Sequence, residues 1–79
     1  MQVQIITTTQ TLYEGEAKLV GVPGTKGRFT LLNNHAPIVS SLTPGQVRVV
    51  NLKDETTTYD IQGGLVESSN NKVILLAEV

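Results

Sequence analysis

Residues 22–50 read VPGTKGRFTLLNNHAPIVSSLTPGQVRVV, and this stretch decides the fold. It contains three short apolar segments, and each is bounded by residues that favour turns, namely Pro23-Gly24, Asn33-Asn34 and Pro44-Gly45. Breaks at this spacing leave no room for an amphipathic helix, whose periodicity needs about eleven uninterrupted residues to be recognised. The stretch therefore predicts β-strands joined by tight turns.

The same pattern of short apolar or alternating segments continues on both sides. The candidate strands cover residues 1–7, 12–13, 17–22, 29–32, 38–42, 46–50, 58–61, 65–67 and 72–76. A glycine inside a strand pattern favours a bulge or a bend, which we expect at Gly15, and Gly63-Gly64 predicts a sharp break with a structural role. Turn signals recur about every eight to twelve residues, which is typical of a sandwich. We predict one all-β sandwich domain over residues 1–79.

The last candidate strand is apolar on both of its faces. We expect Ile74 and Leu76 to face the core, with Val73 and Leu75 as the alternative pair. In either case a second apolar face remains outside. We expect a partner to cover this second face, as in a subunit that is permanently part of an assembly.

Composition excludes several classes of protein. The chain has 79 residues, no cysteine and a net charge of −1, and its six basic side chains are scattered among seven acidic ones. A nucleic-acid binder usually carries a basic stripe, so nucleic acid is not expected as a partner. No segment resembles a signal peptide or a membrane span, so we expect no insertion into the membrane.

The only histidine, His35, leaves three roles open: catalysis, metal binding or a surface read by another protein. A catalytic triad needs a nucleophile and an orienting group within hydrogen-bond reach, and the sequence has no Gly-x-Ser-x-Gly elbow. Zinc needs three or four ligands, and the carboxylates here are dispersed. Residues 24–27 form a short G-x-x-G without the spacing of a phosphate loop. We therefore expect no catalytic residue, metal, cofactor or small-molecule substrate.

Residues 22–50 also resemble the signature of the epsilon subunit of the bacterial F-type ATP synthase. The family pattern there is V-P/T-G-S/T-x-G-x-F/L, then N/G-H-A-P, then L/I-x-P-G. Two further segments are similar to the family in the same order, YEGEA at 13–17 and IQGGLVESSNNKVILLAE at 61–78. The resemblance covers essentially the whole chain, and the ordered set of motifs is more specific than any one of them.

The resemblance implies a fold and a role. The expected fold is a ten-stranded β-sandwich of two five-stranded sheets. The expected role is that of a non-catalytic subunit of the rotor, in the central stalk, which links the gamma subunit to the polar loops of the membrane c-ring and couples ion translocation to ATP synthesis. Catalysis then lies on other subunits, and the subunit is peripheral, on the cytoplasmic side of the bacterial inner membrane.

The resemblance also implies contact residues. The positions that match the family's contacts with the c-ring are Thr25, Lys26, Gly27, Arg28, Asn34 and His35. The positions that match its contacts with the gamma subunit are Thr7, His35, Ala36 and Ser40. A competing hypothesis from another class is a generic β-sandwich module that recognises a peptide or glycan at a sheet edge.

Two features depart from the family. The first ring-facing loop often carries acids, whereas this chain has Lys26 and Arg28 there, so we expect a less basic c-ring loop. Many members also continue into a hairpin of two helices, where this sequence ends at Glu78-Val79. The sequence is either a piece cut at the edge of the domain or a naturally short epsilon chain, and we favour the short form. In either case we expect this polypeptide to act without the two-helix domain and not to bind ATP.

Overall fold

The computed structural model describes all residues 1–79 and contains nine strands and no helix. The strands are β1 Gln2–Ile6, β2 Thr11–Glu16, β3 Leu19–Gly24, β4 Gly27–Leu32, β5 Ile38–Leu42, β6 Gly45–Val50, β7 Thr56–Ile61, β8 Gly63–Ser69 and β9 Lys72–Glu78. The all-β prediction is confirmed. Strand β7 begins at Thr56, two residues before the strand predicted over 58–61, so the β6–β7 turn is limited to residues 51–55.

The strands form one continuous sheet that curls on itself, in the order β2-β1-β9-β8-β5-β3-β6-β7, with β4 paired to β3. All pairs are antiparallel except β1 with β9. The structure thus has nine strands in one hydrogen-bonded sheet, where the resemblance implied ten in two. The reason is β3, whose first half pairs with β6 while Gly24 at its end pairs with Leu42 of β5. β3 therefore connects the two layers of the curled sheet, one containing β5 and the other containing β6.

The core lies between the two layers and is built from alternating positions along the strands. Fifteen hydrophobic residues are buried, and those of the last strand are Val73, Leu75 and Ala77. The expectation that Ile74 and Leu76 face the core is wrong, because Leu76 is 47% exposed. Pairing with β1 decides the orientation, since Val73 and Leu75 stand beside two fully buried residues of that strand.

Gly64 has the structural role that the sequence predicts for it. Its φ is +147°, and a Cβ there would lie 2.1 Å from the carbonyl oxygen of Leu76 on the neighbouring strand. This close approach of β8 to β9 is possible only without a side chain. The residue does not break the chain, however, because β8 runs through it from Gly63 to Ser69.

The expected bulge at Gly15 is wrong. Gly15 pairs with Val3 in regular register, and the irregularity falls at Leu12, which is skipped between two successive pairs. Strand β2 runs through Gly15 and ends at Glu16. The bulge bends the edge strand, and this exposes the Leu12 carbonyl to a partner from another strand.

That partner is Tyr59 of β7. Its hydroxyl donates a 3.1 Å hydrogen bond to the Leu12 carbonyl and so joins β2 to β7, the two ends of the strand order. Burial raises the pKa of Tyr59, and the charge of the neighbouring Tyr13 adds to this rise. The protonated phenol is therefore the form that the folded state favours.

We expect Tyr59→Phe to lower the free energy of unfolding by about 1 kcal/mol at neutral pH, because it removes the hydrogen bond to Leu12. Above pH 10 the folded wild-type chain holds more protons than the unfolded chain, so its stability falls as pH rises, and the variant should lose this decline. Urea unfolding at pH 7 and pH 10.5 measures both effects. Tyr13→Phe is the control and should retain most of the alkaline decline; an unchanged decline in Tyr59→Phe would contradict the assignment.

Candidate functional site

Strands β1, β9, β8 and β5 present an apolar outer face. Ile6 lies opposite Leu76, Leu76 opposite Leu65, and Leu65 opposite Ser41, so one row crosses all four strands. Leu65 and Leu76 are 39% and 47% exposed, which is unusual for large apolar side chains in the middle of a sheet. The next row adds Ile74 and the exposed Val39. We call Ile6, Val39, Leu65, Ile74 and Leu76 the outer apolar face.

A groove of about 380 Å³ opens at the Ile6 end of this face. Thr7 and Thr8 form one wall, and Leu65, Leu76 and Glu78 contribute to the rest. The Thr7 side chain is fixed there, because its hydroxyl oxygen accepts hydrogen bonds from the backbone N–H groups of the two residues that end the turn. Thr7, expected from the resemblance as a gamma contact, therefore borders the outer apolar face.

Acidic side chains lie around and within the outer apolar face. By register Glu14 and Glu16 flank it on β2 and Glu78 lies at the end of β9, whereas Glu67 of β8 lies within it, between Ile74 and Val39, and Lys72 is the only base among them. All five side chains are exposed. An apolar centre with a charged rim is the usual anatomy of a protein–protein interface.

The β3–β4 turn lies at the Ser41 end of the same row. The backbone N–H of Thr25 donates to the Ser41 carbonyl at 3.2 Å, and the two hydroxyl oxygens are 3.1 Å apart. Gly27 has a φ of +121°, which permits the tight turn. A cleft of about 350 Å³ separates the turn from β5 and is lined by both chain segments, including Lys26 and Ser40.

Arg28 and Lys26, both expected to face the c-ring, have different surroundings. The Arg28 guanidinium lies over Gly21, on the other outer face of the molecule, and donates a 2.7 Å hydrogen bond to the Gln46 carbonyl. The exposed Lys26 forms no hydrogen bond and no ion pair. Lys26 is thus the one basic side chain left at the turn.

The His35 loop is held by polar contacts at both asparagines that precede it. The side-chain oxygen of Asn33 accepts a hydrogen bond from the ammonium group of Met1. Asn34 has a φ of +60°, and its N–H donates to the Asn71 side chain at 2.7 Å. His35 Nδ1 lies 2.7 Å from the Ala36 carbonyl, which can only accept, so Nδ1 carries the proton. Such a loop presents a stiff surface.

The structure does not bring all of the expected contact residues together. Thr25 and Lys26 precede β4 and His35 follows it, so about 17 Å of extended strand separates the two groups at about 3.3 Å per residue. Thr7 and the hairpin turn lie at opposite ends of the row from Ile6 to Ser41, but both lie at the end of the strands that points away from Met1. The His35 loop, with the exposed Ala36, lies near the Met1 end.

Sequence reasoning did not single out Ile6, Val39 or Leu65. The available signal was the apolar content of β9 on both faces, which indicates that neighbouring outward positions are also candidates. The structure contains no cluster of three or more His, Cys, Asp and Glu side chains that could hold a metal ion. It also has no helix of the length and hydrophobicity needed to cross a bilayer.

Comparison with known families decides the relationship. Residues 1–79 match the model of the ATP synthase, Delta/Epsilon chain, beta-sandwich domain. The chain belongs to this family. In this chain the β-sandwich of the family is formed by one continuous curled sheet.

Curated members of the family are similar over nearly the whole chain. The ATP synthase epsilon chain of Chlorobaculum tepidum is 39% identical over 74 residues, which cover 94% of this chain and 84% of that protein. The epsilon chain of Rickettsia typhi is 38% identical over 80 residues, covering 99% and 73%. ATP synthase epsilon chain 2 of Ralstonia nicotianae is 38% identical over 78 residues, but this chain spans only 56% of its length.

Solved structures share the fold of this family member at low sequence identity. A chain in the Euglena gracilis mitochondrial ATP synthase superposes with a TM-score of 0.89 at 18% identity, covering 95% of this chain and 48% of that one. A chain in the central stalk and c-ring structure from Tetrahymena thermophila gives 0.82 at 15% identity, covering 100% and 63%.

Two adjacent leucines of β9 test the separation of core and outer apolar face. We expect Leu75→Ala to lower the free energy of unfolding by about 2–5 kcal/mol, because it leaves a cavity in the core. Leu76→Ala removes only a cross-strand contact and should cost less than about 1 kcal/mol. Urea unfolding measures both values, and equal losses would contradict the observed register.

Proposed function

We propose that this chain is the β-sandwich part of an epsilon subunit, a non-catalytic subunit of the ATP synthase rotor. In this role it joins the gamma subunit to the c-ring and couples ion translocation to ATP synthesis on the catalytic subunits. The observation that carries the proposal is the outer apolar face on a member of the delta/epsilon family.

The outer apolar face suits a permanent partner. Its row from Ile6 to Leu65 runs across three paired strands, so its shape is set by the sheet and little entropy is lost on docking. Burying such side chains contributes roughly 25 cal/mol per Å² of apolar surface removed from water. We assign this face to the gamma subunit.

The contact residues expected from the resemblance would divide between the gamma subunit and the c-ring. Thr7 borders the outer apolar face and would extend the gamma contact, and Ser40, which follows Val39 on β5, would extend it at the other side of that face. His35 and Ala36 would contact gamma from the opposite end of β4, where Asn34 and His35 would also reach the c-ring. The hairpin turn would be the second ring contact, through Thr25, Lys26 and Gly27. Arg28 would support the turn rather than touch the ring, because its guanidinium is bonded to Gln46.

Attachment to the membrane would be indirect. The c-ring holds the assembly in the bilayer, and this subunit would lie beside it on the cytoplasmic side of the bacterial inner membrane. We propose that the sandwich suffices for attachment to gamma, without a contribution from a two-helix hairpin. Neither nucleic acid nor a small-molecule substrate takes part.

The test is calorimetry of the 79-residue chain with the purified gamma subunit of the same organism. We expect one-to-one binding with a submicromolar Kd. Leu65→Glu and Leu76→Glu should each weaken binding at least tenfold, because each would bury an unpaired charge at the interface. Absence of wild-type binding at tens of micromolar would overturn the proposal and would favour the generic recognition module.

Leu52→Glu is the matched control. Leu52 is 62% exposed, like the leucines of the outer apolar face, but it lies in the β6–β7 turn, away from that face. It should bind gamma as the wild type does. A loss equal to that of Leu65→Glu would show that charge alone, and not the outer apolar face, determines binding.

A further inference from the structure

The cleft between the β3–β4 turn and β5 is a separate concave site, which shares only Val39 with the outer apolar face. Its walls are residues 24–27 on one side and 38–41 on the other, with Phe29 between them. The rigid contacts between Thr25 and Ser41 hold the two walls at a fixed separation. The cleft is therefore formed before any partner arrives.

The charge at this cleft is a single unneutralised cation. Lys26 lines the cleft and has no ion-pair partner, while Arg28 is turned to the other outer face by its bond to Gln46. The nearest acid by register is Glu67, which pairs with Val39 of the cleft wall and forms no salt bridge either. An exposed lysine in this position favours an incoming anion.

The hydroxyl groups add one directional donor. Thr25 and Ser41 share one hydrogen bond, so one of them donates to the other and the remaining hydroxyl hydrogen is free. Ser40 donates to the Ser41 carbonyl and has no hydrogen left to offer. The cleft thus presents an ammonium group and one hydroxyl donor above the partly buried rings and methyl groups of Phe29 and Ile38.

From these features we infer that the cleft receives a side-chain carboxylate from a loop of the partner that the hairpin turn meets. The inference rests on the proposed function, in which that partner is the polar loop of the c-ring. The carboxylate would pair with Lys26 and accept from the free hydroxyl, and its methylene stem would pack on Phe29. The c-ring loop of this organism would accordingly carry an acidic residue at the contact.

The experiment measures binding of the full 79-residue chain to the purified gamma–c-ring assembly of the same organism. The variants are Lys26→Gln, which removes the charge, and Lys26→Glu, which reverses it. Lys53→Glu is the matched control, because Lys53 is also an exposed turn lysine without an ion-pair partner and the change in net charge is the same. Thermal unfolding of each variant checks that the exposed substitutions leave the fold intact.

We expect Lys26→Glu to weaken binding at least tenfold and Lys26→Gln about threefold, with Lys53→Glu within twofold of the wild type. The wild-type Kd should rise with salt more steeply than that of Lys26→Gln, since screening weakens a charge pair. If the wild type binds but Lys26→Glu binds equally well or more tightly, the inference is wrong and the proposed function stands. If the wild type does not bind the assembly, the proposed function fails and the inference fails with it.

Discussion

The pairing of β9 with β1 and β8 is the constraint on which the rest of the structure depends. It sets Val73 and Leu75 against the core and turns Ile74 and Leu76 outward. A slip of β9 by one residue would exchange the two sets and move Ile74 and Leu76 into the core. The side chains of β9 do not forbid that exchange, because both sets are apolar. The neighbouring strands exclude it, since their buried residues fit only one register.

Two kinds of candidate contact surface lie around this strand. The first is the outer apolar face, which is broad, rigid and flanked by carboxylates such as Glu14 and Glu16. The second consists of two turns at opposite ends of β4, each held by polar contacts to other strands. The sheet provides the surface that a partner would bury, and the stiff turns at its ends would fix the orientation of that partner. This division suits a subunit that joins one protein to another.

The sequence predicted the fold class and most strands because turn residues such as Asn33-Asn34 separate the apolar segments. Pro23-Gly24 was read as a turn, whereas both residues end β3 and the turn follows them. It could not predict which face of β9 is buried, because strand periodicity carries no information when both faces are apolar. The bulge was assigned to Gly15 by residue type, whereas the register of β1 with β2 places it at Leu12, whose carbonyl then accepts a hydrogen bond from Tyr59 of β7. For the candidate site, the loop positions were readable from motifs. The direction of Arg28 was not, since it depends on Gly21 leaving space on a neighbouring strand.

The parallel pair of the first and last strands also has a consequence for how the chain folds. β1 cannot complete its pairing until β9 has left the ribosome, almost the whole chain later. Topologies of such high contact order fold slowly, because loop closure precedes the contacts that repay it. Until then the apolar inner side of β1, formed by Val3 and Ile5, lacks the strand that covers it beside β2. The nascent chain therefore passes through an interval in which timely capture by a chaperone or by its partner favours correct assembly over aggregation.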